Sequence, residues 1–170
     1  ADSAVQAAMV ASGEADLAPY IAVQDATNPA TDISYPNTET PHVMIPLDVK
    51  PLDDVRVRKA LNLALDRQAF IGSLVSKDAT IATQMVLPFI NGYNPDIKPW
   101  PYDPEQAKKL LAEAKADGEP VDAEITLYAN MGLLPNITDM MSAMAQMWRA
   151  VGFNIKEAVA ERAQFQNLVK

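Results

Sequence analysis

Residues 52–67 read LDDVRVRKALNLALDR, and the interpretation of the whole chain starts from this stretch. Its apolar side chains return every four residues, as on one face of an α-helix: Val57, Leu61 and Leu65. Asp53 and Asp54 precede this face, where carboxylates accept hydrogen bonds from free backbone N–H groups and complement the helix dipole. The stretch therefore predicts a capped amphipathic helix, and Asp66 is placed to end it and to cap a second helix over 67–75.

Downstream, the sequence contains a second strong helix start. Asp103 is a suitable N-cap, Pro104 occupies the first helical position, and Gln106 follows the cap by three residues. Gly118 and Pro120 are placed to end this helix. The pattern predicts a helix of about three turns between these signals.

The next part of the chain predicts a strand, a helix and another strand. Residues 121–129 alternate between apolar and polar side chains, as in a strand with one wet face. A loop through Gly132 and Pro135 leads to a helical pattern that ends at Gly152, and 153–159 is a further strand. Alternating helices and strands indicate an α/β fold.

Several shorter segments carry weaker signals. Ser3 and Gln6 have capping-box spacing for an N-terminal helix, which Gly13 is placed to end. Two further strands are expected, the second restricted by Pro46 to an edge: 14–18 and 43–49. Loops are expected over 24–41 and 83–100, and a last helix over 162–169.

Composition excludes several functions. With 22 acidic and 14 basic residues, a formal charge of −8 and a pI near 4.5, the chain would be repelled by a nucleic-acid backbone. The absence of cysteine excludes thiolate metal sites and cysteine nucleophiles. No apolar run approaches the roughly 20 residues that span a bilayer, and no signal peptide is present in this chain.

No catalytic constellation is found. His42 is the single histidine, so a zinc site built on several histidines is excluded, and its position in an expected strand favours a structural role. The paired carboxylates Asp53 and Asp54 are better explained as helix caps than as an acid–base pair. No phosphate-binding glycine loop occurs. We therefore expect neither an enzyme nor a bound cofactor or metal.

Four methionines in the helical pattern before Gly152 admit two interpretations: Met140, Met141, Met144 and Met147. Thioethers adapt to varied partners and can form a permissive binding surface. Met140, Met141 and Met144 also share a helical stripe with Ile137 and Trp148, which favours a core face. Met131, in the preceding loop, is not explained by a core face.

Residues 52–67 resemble the signature of the family 5 extracellular solute-binding proteins almost position for position. Other landmarks of that family follow in the family's order: 13–17, 92–93, 102–114 and 148–155. The resemblance implies a type II periplasmic-binding-protein fold, in which two α/β lobes close on a ligand. Since members run to several hundred residues, this chain is expected to be a fragment, with 1–45 at the end of the first lobe and hinge approach and 46–170 as an incomplete second lobe.

The resemblance implies the solute-binding component of an ABC importer, which captures a peptide or similar small solute and delivers it to a membrane permease. The protein is expected to be monomeric and periplasmic, or lipid-anchored outside the cytoplasm. A sensory or chaperone-like binding module on the same fold is the alternative, and a hydrolase is a third. Arg56, Arg58, Asp66 and Arg67 are expected to be architectural.

By analogy with the fold, the expected ligand-facing residues lie between strands and helices: Ala18, Pro19, Tyr20, Asn130, Met131, Leu133 and Asn136. One departure from the family matters here. Dipeptide-binding members place an arginine near the start of the helix that begins here around Asn136, where it pairs with the ligand carboxylate. This chain has Thr138 and Asp139 instead, which favours a longer peptide, a cationic ligand or a sugar.

Overall fold

The computed structural model describes residues 2–35, 40–161, 164–165 and 167. Their helices are α1 (Ser3–Ser12), α2 (Val55–Leu63), α3 (Pro104–Ala116) and α4 (Ile137–Val151), with a 3₁₀ turn at Arg67–Phe70. The strands are β1 (Glu124–Asn130) and β2 (Asn154–Ala160). The α/β prediction is confirmed, and so are the long loop before α3 and the left-handed Gly13 after α1.

Strands β1 and β2 are parallel neighbours joined by α4. Their register runs from Glu124 opposite Asn154 to Asn130 opposite Ala160. Parallel strands need a long crossover, and α4 provides it while packing on both strands. Gly152 ends α4 in the left-handed conformation that glycine adopts without a steric penalty. Both strands therefore have their carboxyl ends at the same edge, where α4 begins.

Helices α2 and α3 lie side by side and run in opposite directions. The Asp103 N–H donates to the Leu63 carbonyl at 2.8 Å, which joins the end of α2 to the start of α3. At the other end, the Arg56 guanidinium reaches Asp117 just beyond α3. Asp54 and Asp103 cap the two helices as predicted, each accepting from a backbone N–H of the first turn.

One hydrophobic core joins α2, α3, α4 and the sheet. Trp148 is 4% exposed, and its indole N–H donates to the Leu61 carbonyl at 2.8 Å, the distance of a good hydrogen bond. Val57, Ala60, Ala107, Ala114 and Ala145 are fully buried. Because the alanine side chains are small, the helices can approach closely around the indole of Trp148.

Arg58 and Arg67 donate hydrogen bonds to backbone carbonyls, whereas Arg56 contacts carboxylates. Arg58 donates to the carbonyls of Leu52 and Asp53, both at 2.8 Å. Arg67 donates to the Asn62 carbonyl at 3.0 Å near the end of α2, where carbonyls lack helical partners. Burial lowers the pKa of Arg67. These contacts support the architectural interpretation of the arginines.

Three expectations for residues 1–49 are wrong. Asp2 rather than Ser3 caps α1, and the Ser3 hydroxyl instead accepts from the Ala22 N–H at 2.7 Å. No strand forms over 14–18, where the N–H groups of Glu14 and Ala15 turn back to the Met9 carbonyl. No strand forms over 43–49 either, since no described segment pairs with it.

The helix expected over 67–75 is reduced to the 3₁₀ turn. Asp66 does cap it, accepting from Gln68 and Ala69. Gly72 then takes a left-handed conformation, and its N–H bonds the Val75 carbonyl, so the chain folds back. A glycine inside a helix is unfavourable by about 1 kcal/mol, which makes this reversal the better solution.

The methionine stripe of α4 divides between core and surface. Met141 is buried and Met144 packs against the core, as the core interpretation expects, while Met140 and Met147 are half-buried. His42 is exposed and contacts the Thr40 carbonyl through Nδ1 at 3.1 Å. The helix expected over 162–169 falls largely outside the described residues. Among the helices that are described, none has the length and apolarity to cross a membrane.

Candidate functional site

The carboxyl ends of β1 and β2 form the candidate site. Asn130 and Ala160 are register partners at the end of the sheet, and the Met131 N–H extends the pairing by donating to the Ala160 carbonyl at 3.0 Å. In open α/β sheets, ligands bind outside the carboxyl ends of the strands. We call this region the carboxyl edge: residues 130–136, the first turn of α4, and Ala160–Glu161.

The loop after β1 brings three predicted site residues together. The Asn130 side-chain oxygen is buried and has no hydrogen-bond partner among the described residues. Met131 and Leu133 are 45% and 60% exposed. The edge thus has exposed apolar surface beside a buried amide oxygen that lacks a donor among the described residues.

Asn136 fixes the end of this loop. Its φ of 59° is left-handed, a conformation that asparagine tolerates better than most residues. Its amide pairs with the Gln24 amide through two hydrogen bonds of 3.0 and 3.1 Å, and its Nδ2 also donates to the Leu74 carbonyl at 3.3 Å. Asn136 therefore ties two separate segments, those of Gln24 and Leu74, to the start of α4.

The remaining predicted residues lie next to this junction in sequence. Ala18 is half-buried, Pro19 is exposed, and Tyr20 is 61% exposed with a left-handed φ of 60°. Within the described part of the chain, the hydrogen bonds from this segment to Asn136 come from Gln24, four residues after Tyr20. The structure joins Asn130, Met131, Leu133 and Asn136 in one stretch at the end of β1. Ala18, Pro19 and Tyr20 precede Gln24, which bonds Asn136, by four to six residues.

Sequence reasoning missed three contributors: Gln24, Leu74 and Ala160. Gln24 stands in a polar turn region that gives no sign of its partner 112 positions away. Leu74 contributes only a carbonyl, which no residue-type pattern reveals. Ala160 could have been found, because the end of a parallel strand is predictable once its neighbour is known.

Three acidic side chains near the carboxyl edge have no partner in the part of the chain that the structure describes. Asp25 follows Gln24, Asp139 lies in the first turn of α4, and Glu161 follows β2. In the described residues, none of these carboxylates forms a side-chain hydrogen bond or an ion pair. No group of three or more His, Asp or Glu suited to a metal ion occurs in the part of the chain that the structure describes.

The opposite end of the molecule is rich in ion pairs. Arg56 contacts both Asp54 and Asp117, and its hydrogen bonds lower the pKa of Asp54 to about 2. Lys50 pairs with Asp53 and with Glu119, and its hydrogen bond to Glu119 raises the pKa of Lys50. This end is arranged to hold α2 and α3 together.

A third charged cluster lies between α4 and the middle of β2. The Glu157 carboxylate accepts from the Ser142 hydroxyl at 2.6 Å and from Arg149 at 2.8 Å, and these bonds lower its pKa. Arg149 also donates to the Ile155 carbonyl. This cluster fixes α4 against the sheet, so it too has a structural role.

Two shallow grooves lie away from the carboxyl edge. One, of about 370 Å³, runs along the outer face of α2 beside Trp100, and the other, of about 490 Å³, separates α3 from the second half of α4. Neither is lined by a residue of the carboxyl edge. The two grooves are therefore separate from the carboxyl edge.

The geometry is that of an α/β unit in which the ends of two parallel strands lie beside a loop with exposed apolar side chains. Comparison with known proteins gives the family. The model of "Bacterial extracellular solute-binding proteins, family 5 Middle" matches residues 1–170, and the chain belongs to this family. The landmark resemblance and the type II periplasmic-binding-protein fold are thereby confirmed.

The relatives that this chain matches are named for different ligands. The chain is 29% identical to heme-binding protein A of Haemophilus influenzae over 99% of its length, which is 32% of that protein. It is 38% identical to the glutathione-binding protein GsiB of Escherichia coli over 76% of its length, which is 26% of that protein. The chain thus spans about a third or less of the curated relatives it matches.

Solved structures agree. HbpA2 from Haemophilus parasuis superposes with a TM-score of 0.65 at 28% identity, covering 73% of this chain and 24% of that one. The periplasmic binding protein DppA from Helicobacter pylori, in complex with the peptide STSA, gives 0.60 at 25% identity, covering 70% and 22%. These relatives are named for binding rather than for catalysis.

Proposed function

We propose that this chain is part of the extracytoplasmic solute-binding component of an ABC importer. It captures a peptide or similar small solute outside the cytoplasm and hands it to a membrane permease without chemical change. Family membership supports the binding role, and the naming of relatives for dipeptide, glutathione, heme and nickel complexes leaves the solute itself open.

The observation that carries the proposal is the composition of the carboxyl edge. Met131 and Leu133 offer exposed apolar surface beside the amide of Asn130, and no nucleophile with an adjacent base accompanies them in the described residues. Such a surface can hold a small molecule by apolar contact and hydrogen bonds. It has no evident means of breaking a bond in that molecule.

The proposed mechanism is closure of two lobes on the solute. Residues 1–45 would belong to the first lobe and the hinge approach, and 46–170 to the second. The paired amides of Gln24 and Asn136 cross this proposed boundary. A solute that contacts both lobes only when they are closed shifts the population toward the closed state by its differential affinity.

Mass spectrometry of the small molecule that co-purifies with the full-length protein, released by denaturation, tests the proposal. We expect a bound solute that leaves unchanged, either a ladder of peptides or a single mass. A protein that carries no solute, binds none from a peptide and metabolite library, and supports no permease-dependent uptake would contradict the proposal. Turnover of a library member would instead indicate a hydrolase.

A further inference from the structure

Asn91 and Gly92 form an asparagine–glycine pair in the long loop before α3. Of the nine asparagines in the chain, Asn91 is the one that a glycine follows. In such a pair the backbone nitrogen of the glycine can approach the side-chain carbonyl carbon of the asparagine, because glycine has no Cβ to obstruct it. The sequence therefore places a chemically labile amide in this loop.

The structure leaves both reacting groups accessible. Asn91 and Gly92 are exposed and occupy the two central positions of a turn that the Tyr93 N–H closes on the Ile90 carbonyl at 3.2 Å. Gly92 has a φ of 98°, which glycine adopts readily at the third position of a turn. Within the described residues, neither the Gly92 N–H nor the Asn91 side chain forms a hydrogen bond. The amide can therefore rotate toward the glycine nitrogen.

Most of the other described asparagines are restrained. The side-chain oxygen of Asn130 is buried. A proline follows two others, Asn28 and Asn94, and its nitrogen carries no hydrogen. Five asparagine side chains form hydrogen bonds that oppose rotation toward the next residue: Asn28, Asn62, Asn94, Asn136 and Asn154. Asn91 thus differs from them in both its neighbour and its freedom.

The surroundings of Asn91 are uncharged. Residues 79–95 contain no charged side chain, and Phe89 and Ile90 are exposed beside the turn. The Gln84 side chain closes this loop, donating to the Asn94 carbonyl at 2.8 Å and accepting from the Asn94 N–H at 3.2 Å. A carboxylate at position 91 would be the first charge in this segment.

We propose that Asn91 is a site of spontaneous deamidation in the folded protein. The Gly92 nitrogen attacks the side-chain carbonyl carbon of Asn91, and a carbon–nitrogen bond forms. Ammonia leaves with the proton that the Gly92 nitrogen gives up, and a succinimide ring remains. Water then opens the ring at either carbonyl, which yields aspartate or isoaspartate. Water is the only co-reactant, and nothing is oxidised or reduced.

The conversion changes both the charge and the shape of the loop. Either product carries a carboxylate beside the exposed apolar side chains of Phe89 and Ile90. In the isoaspartyl product the main chain also passes through the former side-chain carbon, so the turn between Ile90 and Tyr93 becomes longer and loses its closing hydrogen bond. The protein therefore acquires a second form of this loop as it ages, independently of any solute.

The test is incubation of the full-length protein in native buffer at neutral and at mildly alkaline pH. Samples taken over time are digested and analysed by mass spectrometry, with fragmentation that distinguishes aspartate from isoaspartate. We expect Asn91 to convert before every other described asparagine and to give both products. The rate should rise with pH, because the attacking nitrogen must lose its proton.

Two variants examine the chemistry. Gly92→Ala should slow the conversion at least about fivefold, because a Cβ obstructs the attack. Asn91→Gln should stay intact over the same period, since its longer side chain would have to close a larger ring. Aspartate as the sole product, or an unchanged rate in Gly92→Ala, would overturn the succinimide route.

The same protein in urea examines the role of the structure. Because Asn91 is unrestrained, its rate in native buffer should lie within about threefold of its rate in urea. Asn62, whose side chain donates to the Arg58 carbonyl, is the control and should convert at least about tenfold more slowly in native buffer than in urea. Conversion of Asn91 in urea alone, or after another described asparagine, would overturn the proposal.

Discussion

The two ends of this molecule treat charge in opposite ways. Where α2 meets α3, Arg56 and Lys50 each contact two carboxylates, and the surrounding core is buried. At the carboxyl edge, Asp25 and Asp139 have no described partners, and Met131 and Leu133 are exposed. One end uses its charged side chains to stabilise the fold, whereas the other leaves its carboxylates without partners among the described residues.

The largest expected effect concerns the buried indole near the end of α4. Trp148→Ala should lower the free energy of unfolding by about 3–5 kcal/mol, because it opens a cavity and leaves the Leu61 carbonyl without its donor. Trp100, 46% exposed, is the control, and Trp100→Ala should cost less than about 1 kcal/mol. Urea unfolding measures both variants, and equal losses would contradict the described core.

The next effect is a dependence of stability on pH at the α2–α3 end. The pKa of Asp54 is about 2, below its ordinary value of 3.8, so its stabilisation is complete above about pH 4 and disappears as the pH falls toward 2. Arg56→Met should remove most of this stabilisation at neutral pH and flatten the stability curve between pH 4 and 2.

Lys108→Met is the control for this pH effect, because Lys108 pairs with a glutamate that is 80% exposed. Exposed pairs contribute at most about 1 kcal/mol, so its stability curve should keep the parent slope. Urea unfolding at several pH values gives both curves. An unchanged slope in Arg56→Met would mean that Arg56 does not control the Asp54 carboxyl.

A smaller effect on stability is expected at Asn136, whose amide pairs with the amide of Gln24. Asn136→Gly removes the amide hydrogen bonds to Gln24, but glycine tolerates the left-handed backbone at this position. Asn136→Ala removes the same hydrogen bonds and also disfavours the left-handed backbone. The alanine variant should therefore be less stable than the glycine variant by about 1 kcal/mol. Urea unfolding tests the order, and a more stable alanine variant would show that the backbone is not strained there.

The smallest effect on stability is expected at the carboxyl edge. Asp139→Asn, at a position without an ion pair, should change the free energy of unfolding by less than about 1 kcal/mol, the share that comes from the α4 dipole. A large loss of stability in urea unfolding would show that Asp139 stabilises the fold after all.

The sequence predicts local elements well and long-range ones poorly. The caps Asp54 and Asp103 and the stop at Gly152 were predictable, because a cap depends on residues within one turn. The expected strand over 43–49 does not form, since a strand depends on a partner that its own residues do not specify. The apolar pattern over 67–75 predicts a longer helix than the one that forms, because Gly72 is a local stop signal within it.

The candidate site was predictable in part for the same reason. Asn130, Met131, Leu133 and Asn136 follow a recognisable strand, so their placement in one loop needed only the order of elements. The contact between Asn136 and Gln24 joins residues 112 positions apart, and nothing in either local sequence indicates it. Their roles toward a ligand stay predictions.

The absence of described partners for Asp25 and Asp139 has an evolutionary consequence. A substitution at a side chain that stabilises nothing is nearly free of a folding penalty, so selection can change it without a compensating change elsewhere. The region that meets the ligand can then vary while α2, α3 and the core stay as they are. One scaffold could in this way diversify into importers for unrelated nutrients by small steps at the strand ends.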